Sequence, residues 1–303
     1  MSGSKLDGRI GLAGPVLQVE RTAEGVAQLL AFCREHKVEL VVMEATGGYE
    51  RLAFSLLWAA GMACAIVNPR SVRRFAEAMG LLEKTDRIDA GVIARYAEVK
   101  GIVGQEPASA AQQRLQALVT RLRQLTELTV AQSNQRRLVE EPDVLTSFEE
   151  VIALARRQIR RLESQISELL DKDPLWRALD QAFREIKGVA DRTVARLVAE
   201  LPEIGLISGK AIAKLVGVAP LANDSGKRNG RRSIRGGRST VRSILFVVAG
   251  VVRRHDADFA EVHQRLIAAG KPKKAVRVAL ARKLLVRLNA KARDARLALA
   301  HPA

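Results

Sequence analysis

The chain has 303 residues, 48% of them apolar and 27% charged, which is enough for two domains with cores of their own and typical of a water-exposed protein. No apolar run approaches the ~20 residues that cross a bilayer, and neither a signal-peptide core nor an anchor is evident near the start, so a cytoplasmic, non-membrane protein is expected. Two cysteines, Cys33 and Cys64, in apolar surroundings exclude a disulfide scaffold or a thiolate zinc site. The formal charge is +17, and residues 181–303 hold 26 Lys and Arg against 9 Asp and Glu, so they carry all of it. Such segregation points to a polyanion, hence nucleic acid, rather than to general solubility.

In chain order, residues 1–20 read as two weak strands around "GRIGL" and "PVLQVER", joined at Gly14-Pro15. Residues 22–36 have helical periodicity behind the cap candidate Thr22. "VELVVM" is a continuous apolar run, the pattern of a strand buried on both faces. Helix "YERLAFSLLWAA", strand "MACAIVN" and helices over 70–79 and 86–100 follow. This alternation predicts an α/β layer with a largely parallel sheet.

Between 106 and 180 the pattern changes. Leu115, Leu118, Leu122 and Leu125 recur at steps of three and four, as do Ile152, Ala155, Ile159, Leu162, Ile166 and Leu169. With "EEPDVLTSFEE" as a polar break, this predicts a coiled-coil-like hairpin of two long helices, suited to self-packing or to oligomerisation. From Phe183 onward a compact helical domain is expected. "IKGVADRTVARLVAELP" is either a helix-hairpin-helix that offers amides to phosphate or a tight helical corner. The stretch from Lys271 reads as a long basic helix.

Two constellations carry candidate chemistry. Glu44 ends a buried strand, where a charge must find a partner. Asp86 and Asp89, at i and i+3, share one face at a helix start. Asp86 as a cap, with Asp89 paired to Arg87 or Lys84, accounts for the pair structurally. Alternatively, three carboxylates meeting at the sheet edge would hold one or two Mg²⁺ ions against a scissile phosphate. The second constellation is "NDSGKRNGRRSIRGGRSTVR". Behind Ser225 stand Lys227, Arg228, Arg231, Arg232, Arg235, Arg238 and Arg242, with no acidic residue among them and four glycines between. Guanidiniums clamp phosphates bidentately, so this is either a phosphate-binding loop or one that also activates Ser225 as a nucleophile. Arg70, Arg73 and Arg74 form a basic helix face that either contacts guide RNA or is simply solvated. For Tyr49, core packing is expected ahead of base stacking.

"VVMEATGGYE", "VNPRSVRRFA", "KTDRIDAGVIARYAE" and "LVGVAPLANDSGKRNGRRSIRGGRSTVR" together resemble the IS-one-ten family of insertion-sequence transposases, also called DEDD or Piv/MooV-like recombinases. The resemblance implies a RuvC-like (RNase H-like) α/β domain over 1–104, coiled-coil oligomerisation helices over 105–180 and a mostly helical transposase domain over 181–303. It carries the family's glutamate to Glu44, the last two aspartates to Asp86 and Asp89, and the nucleophilic serine to Ser225. It further implies Mg²⁺-dependent exchange of donor and target DNA through a 5′-phosphoserine. A structured non-coding bridge RNA would guide the choice of DNA, and homodimers would pair into a tetramer. Lys84, Arg87 and the basic residues after Ser225 would contact nucleic acid. The family's first aspartate follows a Gly-Ile-Asp-Val-Ser pattern, whereas this chain opens "MSGSKLD". That strand is therefore expected to lie before Met1, and the chain as written to be impaired in strand exchange. A branched-DNA nuclease and a non-catalytic DNA- or RNA-binding remnant are the alternatives.

Overall fold

The structure is a computed structural model that describes residues 4–81, 86–226, 230 and 232–301; of Asp86, Arg87 and Ile88 it describes the backbone alone. The chain divides into two compact units, Met1–Ala108 and Ser109–Ala303.

The first unit opens with an antiparallel hairpin, β1 (Lys5–Arg9) and β2 (Val16–Glu20), with Leu6 opposite Val19. The Gly14-Pro15 turn closes it, with the Ile10 amide donating to the Pro15 carbonyl at 3.0 Å. Thr22 caps α1 (Ala23–Glu35) by accepting from the Gly25 amide at 3.2 Å, as the sequence predicts. Next come β3 (Val41–Glu44), α2 (Glu50–Ala59), β4 (Cys64–Val67), α3 (Pro69–Ala78) and α4 (Asp86–Lys100). α3 carries its proline at the first turn, where a missing N–H costs nothing, and Asn68 caps it. β3 and β4 pair in parallel, with Val41 opposite Cys64 and Glu44 opposite Val67.

Alternate residues of these strands face two cores. Leu6, Val19 and Met43 pack with Val26, Phe54 and Leu57 from α1 and α2. Val42 and Val67 pack with Val72 and Val92 from α3 and α4. Strand thus lies between helices on both sides, a layered arrangement that follows from period-two side chains in apolar runs. The largely parallel single sheet expected from the sequence is corrected. Among the described residues there are two two-stranded sheets, one antiparallel and one parallel, with β1 not bonded to β3. The hairpin's four-residue link between Ile10 and Pro15 is too short for a parallel crossover, which needs a dozen residues or more.

The second unit is helical. α5 (Ala110–Arg136) and α6 (Pro142–Lys172) run back along each other, joined by a five-residue link. Their seam buries Leu115, Val119, Leu122 and Leu125 against Ile159, Ile166 and Leu170. Leu118, Leu162 and Leu169, expected in it, sit half-buried beside it. The polar break is shorter than expected, because Pro142 starts α6 at the one helical position where proline is favoured, and "DVLTSFEE" is already helix. α7 (Pro174–Arg184), α8 (Asp191–Glu200), α9 (Gly209–Val216), α10 (Ser239–His255), α11 (Ala257–Ala268) and α12 (Lys273–Ala300) complete the unit.

One core spans all of these helices and runs through the expected boundary at residue 181. The basic helix of the sequence analysis is its central pillar: Val276, Leu280, Leu284, Leu288 and Ala292 recur every four residues along α12 and are fully buried. Asn289, also buried, locks α12 in register by accepting from the Gly205 amide and donating to the Ile207 carbonyl, both at 2.9 Å. Gln112 and Gln116 donate to the carbonyls at the end of α8, tying the long pair to the rest. The turn before α8 is a packed corner. A Cβ on Gly188 would come within 3.2 Å of the α10 backbone, and Arg184 bridges to Asp191 at 2.7 Å. Among the described residues no helix is long and apolar enough to cross a membrane.

Candidate functional site

Glu44 is the last residue of β3 and is half-buried. Directly after it the chain turns through Gly47 and Gly48, both at positive φ, into α2. Sequence reasoning missed what holds this turn. Glu50 is 8% exposed, and its Oε2 accepts from the Thr46 amide (3.0 Å), the Thr46 hydroxyl (3.2 Å) and the Gly48 amide (3.0 Å). Burial is the largest single influence on the Glu50 carboxyl and pushes it up. Its bonds to its own amide, Thr46 and Gly48 together outweigh that and leave it below the ordinary carboxylate value. A Gly-Gly pair followed two residues later by glutamate is the local signal for such a carboxylate clasp. Tyr49 does not enter the core as expected. It is 47% exposed, with the Arg21 guanidinium 4.9 Å from its ring centroid, because the clasped turn faces it outward.

Across from this turn, Asp89 sits half-buried in the first turns of α4. The structure brings Glu44 and Asp89 together as walls of one cavity of about 660 Å³, which Asp7 and Arg9 of β1 also line. The Arg9 Nε there is buried without a hydrogen-bond partner. Carboxylate oxygens from a strand end and a helix start are the donor chemistry that Mg²⁺ takes. Among the described residues, however, no three His, Cys, Asp or Glu side chains gather closely enough to hold an ion. Completing a ligand set therefore falls to Asp86, whose side chain lies outside the described residues, as do Lys84 and the side chain of Arg87. The cysteines add nothing to the chemistry: burial, and then the neighbouring Cys33, push the Cys64 thiol up to about 11.

The serine loop is built differently. A two-residue antiparallel contact closes its base, with the Leu221 amide donating to the Ser233 carbonyl at 2.9 Å. Ser225 is exposed, followed by Gly226 at positive φ. Asp224 turns back into the loop, accepting from the Gly230 amide at 3.1 Å and pairing with Arg232 at 3.5 Å. The exit strand crosses the end of α9 so closely that a Cβ on Gly237 would lie 2.4 Å from the Gly217 nitrogen.

Two of the seven basic residues expected to meet phosphate turn inward instead. Arg238 grips Glu203 with two bonds of 2.5 Å and also donates to the Glu200 carbonyl. Arg242 donates to the Gly236 and Val216 carbonyls at 2.6 and 3.1 Å. Both satisfy helix-end or loop carbonyls that lack amide partners, which a charge count along the sequence does not reveal. Arg232 and Arg235 remain exposed, while Lys227, Arg228 and Arg231 lie outside the described residues. In the first unit Arg70, Arg73 and Arg74 are exposed along α3.

Residues 13–139 match the DEDD, IS110-type transposase model, and residues 180–264 match the transposase IS116/IS110/IS902 family. The chain carries the transposase domains of the IS110 family. These IS110-type domains cover the acidic cavity and the serine loop respectively. The chain is also 29% identical over 261 residues to the pilin gene-inverting protein of Moraxella lacunata, covering 81% of this chain and 77% of that protein. The pilin gene-inverting protein of Moraxella bovis matches at the same identity and coverage. Transposase domains and a gene-inverting relative make this a DNA recombination protein.

Proposed function

We propose that the IS110-type domains exchange DNA strands through a covalent phosphoserine formed on Ser225. The observation that carries this reading is the presentation of Ser225, exposed on a glycine-rich loop whose base is anchored by Arg238 on Glu203 and by Arg242. Anchoring from inside leaves Arg232 and Arg235 to face a phosphate, and Lys227, Arg228 and Arg231 extend the basic run. The Ser225 Oγ attacks phosphorus, the bond to the 3′ oxygen breaks, and a 5′-phosphoserine and a free 3′ hydroxyl result. A 3′ hydroxyl from the partner duplex then attacks the same phosphorus and returns the serine. Guanidiniums around the phosphate stabilise the charge that builds on its oxygens.

Glu44, Asp86 and Asp89 would hold Mg²⁺, which when bound neutralises phosphate charge and fixes its orientation. Glu50 keeps the turn behind Glu44 rigid. Donor and target DNA are the substrates, and a structured bridge RNA that pairs with them supplies the sequence choice, for which the protein offers charge and shape. The long helical pair acts as a coiled coil that joins copies into dimers and tetramers.

The test is trapping on a nicked suicide duplex that lets the freed strand diffuse away. A Ser225-linked oligonucleotide found by peptide mass spectrometry, and lost in Ser225→Ala together with strand exchange, is the expected result. DNA cleavage that survives Ser225→Ala would assign a RuvC-like nuclease instead, with the serine loop binding phosphate only.

A further inference from the structure

The two small sheets end at strand edges that face the same space. In the hairpin the Arg21 amide donates to the Ser4 carbonyl and the Ile10 amide to the Pro15 carbonyl. By the alternation of an antiparallel ladder, Leu6 and Gly8 share their bonds with β2, and the main-chain groups of Asp7 and Arg9 point away from it. In the parallel pair the Val41 and Ala45 amides donate to the Ala63 and Val67 carbonyls, so the main chain of Val42 points away from β4. Asp7, Arg9 and Val42 all line the 660 Å³ cavity. Its floor and roof are apolar. A Cβ on Gly8 would lie 3.3 Å from Leu29 of α1, whereas a Cβ on Gly91 of α4 would lie 3.3 Å from the Arg9 side chain, so the two helices cover opposite faces of β1. Leu29 and Phe32 from α1, and Ile93 and Ala97 from α4, complete the lining. Among the described residues every strand is already placed, and none fills this slot.

We propose that the slot accepts an extended, apolar polypeptide segment from a separate molecule, which pairs with β1 on one side and β3 on the other. The two sheets then become one of five strands. Walls that each present main-chain donors and acceptors at strand spacing are matched by another strand, the mode called β-augmentation. Apolar cover on both faces selects a continuous β-branched run rather than an alternating one. Because Glu44 and Asp89 line the same cavity, the added strand closes the wall beside the acidic side chains. The proposal concerns binding alone and stands whether or not Ser225 is a nucleophile.

The probe is an end-capped Val-Ile-Ala-Ile-Val-Thr peptide with a Lys-Lys tail for solubility, added to the full chain in the absence of DNA. Hydrogen-exchange mass spectrometry should show segments 5–9 and 41–44 slowing on the order of tenfold or more at saturation. The same peptide N-methylated at alternate residues, which has the same apolar surface but half the main-chain donors, should protect neither segment. Val42→Pro removes an outward-facing donor while leaving the β4 ladder intact, and should weaken binding about fivefold. Protection by the N-methylated peptide equal to the parent's, or no protection of either segment by the parent in a chain with unchanged circular dichroism, overturns the proposal.

Discussion

The two turns that carry the candidate chemistry are held by opposite charges. Behind Glu44 a carboxylate, Glu50, gathers backbone amides. Behind Ser225 two guanidiniums, Arg238 and Arg242, gather backbone carbonyls and one carboxylate. Each clasp has the sign of the residues its turn presents: acid holds the acidic turn and base holds the basic loop. A clasp of the opposite sign would pair with the very groups meant to face metal or phosphate. Charge counted along the sequence therefore mixes two jobs, and only the inward partners separate them.

The largest effect that would break this comparison is expected at Gly237→Ala. Positive φ and a Cβ 2.4 Å from the Gly217 nitrogen leave no room where the loop crosses α9. A loss of about 3 kcal/mol or more in calorimetry is expected.

Next comes Arg238→Met, which leaves Glu203 half-buried without its bidentate partner. Both side chains are about a third exposed, so screening trims the cost to about 1–2 kcal/mol. Burial pushes the Glu203 carboxyl up, but the Arg238 bonds, with help from its own amide, win and hold it below its ordinary value of 4.5. Its contribution is thus complete above that value and is lost as pH falls through the lowered one. Urea titrations from pH 6 down to 3 should show a shallower acid loss in the variant than in the parent chain.

Glu50→Gln keeps an acceptor but loses the charge, so about 1 kcal/mol is expected, with faster amide exchange confined to residues 45–49. Its acid dependence has the same sign, since its carboxyl too lies below the ordinary value.

The smallest change is predicted for Arg232→Ala or Arg235→Ala. Melting should be unaltered, while the slope of log affinity for duplex DNA against log salt falls by about one in each. A full-length chain in which Arg238→Met changed that slope instead of stability would show the division of labour to be wrong.

Much of the fold was legible because local rules decided it. Thr22, Asn68 and Pro142 announced helix starts through capping and the tolerance of a first turn for proline. The apolar runs at 38–43 and 62–68 announced strands buried on both faces. The place of α12 was less legible, since its many cations mask a core stripe that repeats every four residues from Val276 to Ala292. The choice between Leu118 and Val119 for the long seam was not legible at all, because both positions satisfy a three-four spacing and only the partner helix selects one. The acidic residues were visible one by one; that Glu44, Asp89 and Asp7 share a cavity was not, as they come from three different elements.

By itself the amino-acid order determined the elements, the segregation of positive charge into residues 181–303 and the family motifs around Glu44, Asp89 and Ser225, because each depends on neighbours within a turn or two of chain. Tertiary structure alone decided which arginines face inward, how far one core extends through the helical unit, and that the strands form two sheets around a slot. Those outcomes depend on groups distant in sequence competing for the same buried hydrogen bonds and the same apolar surface.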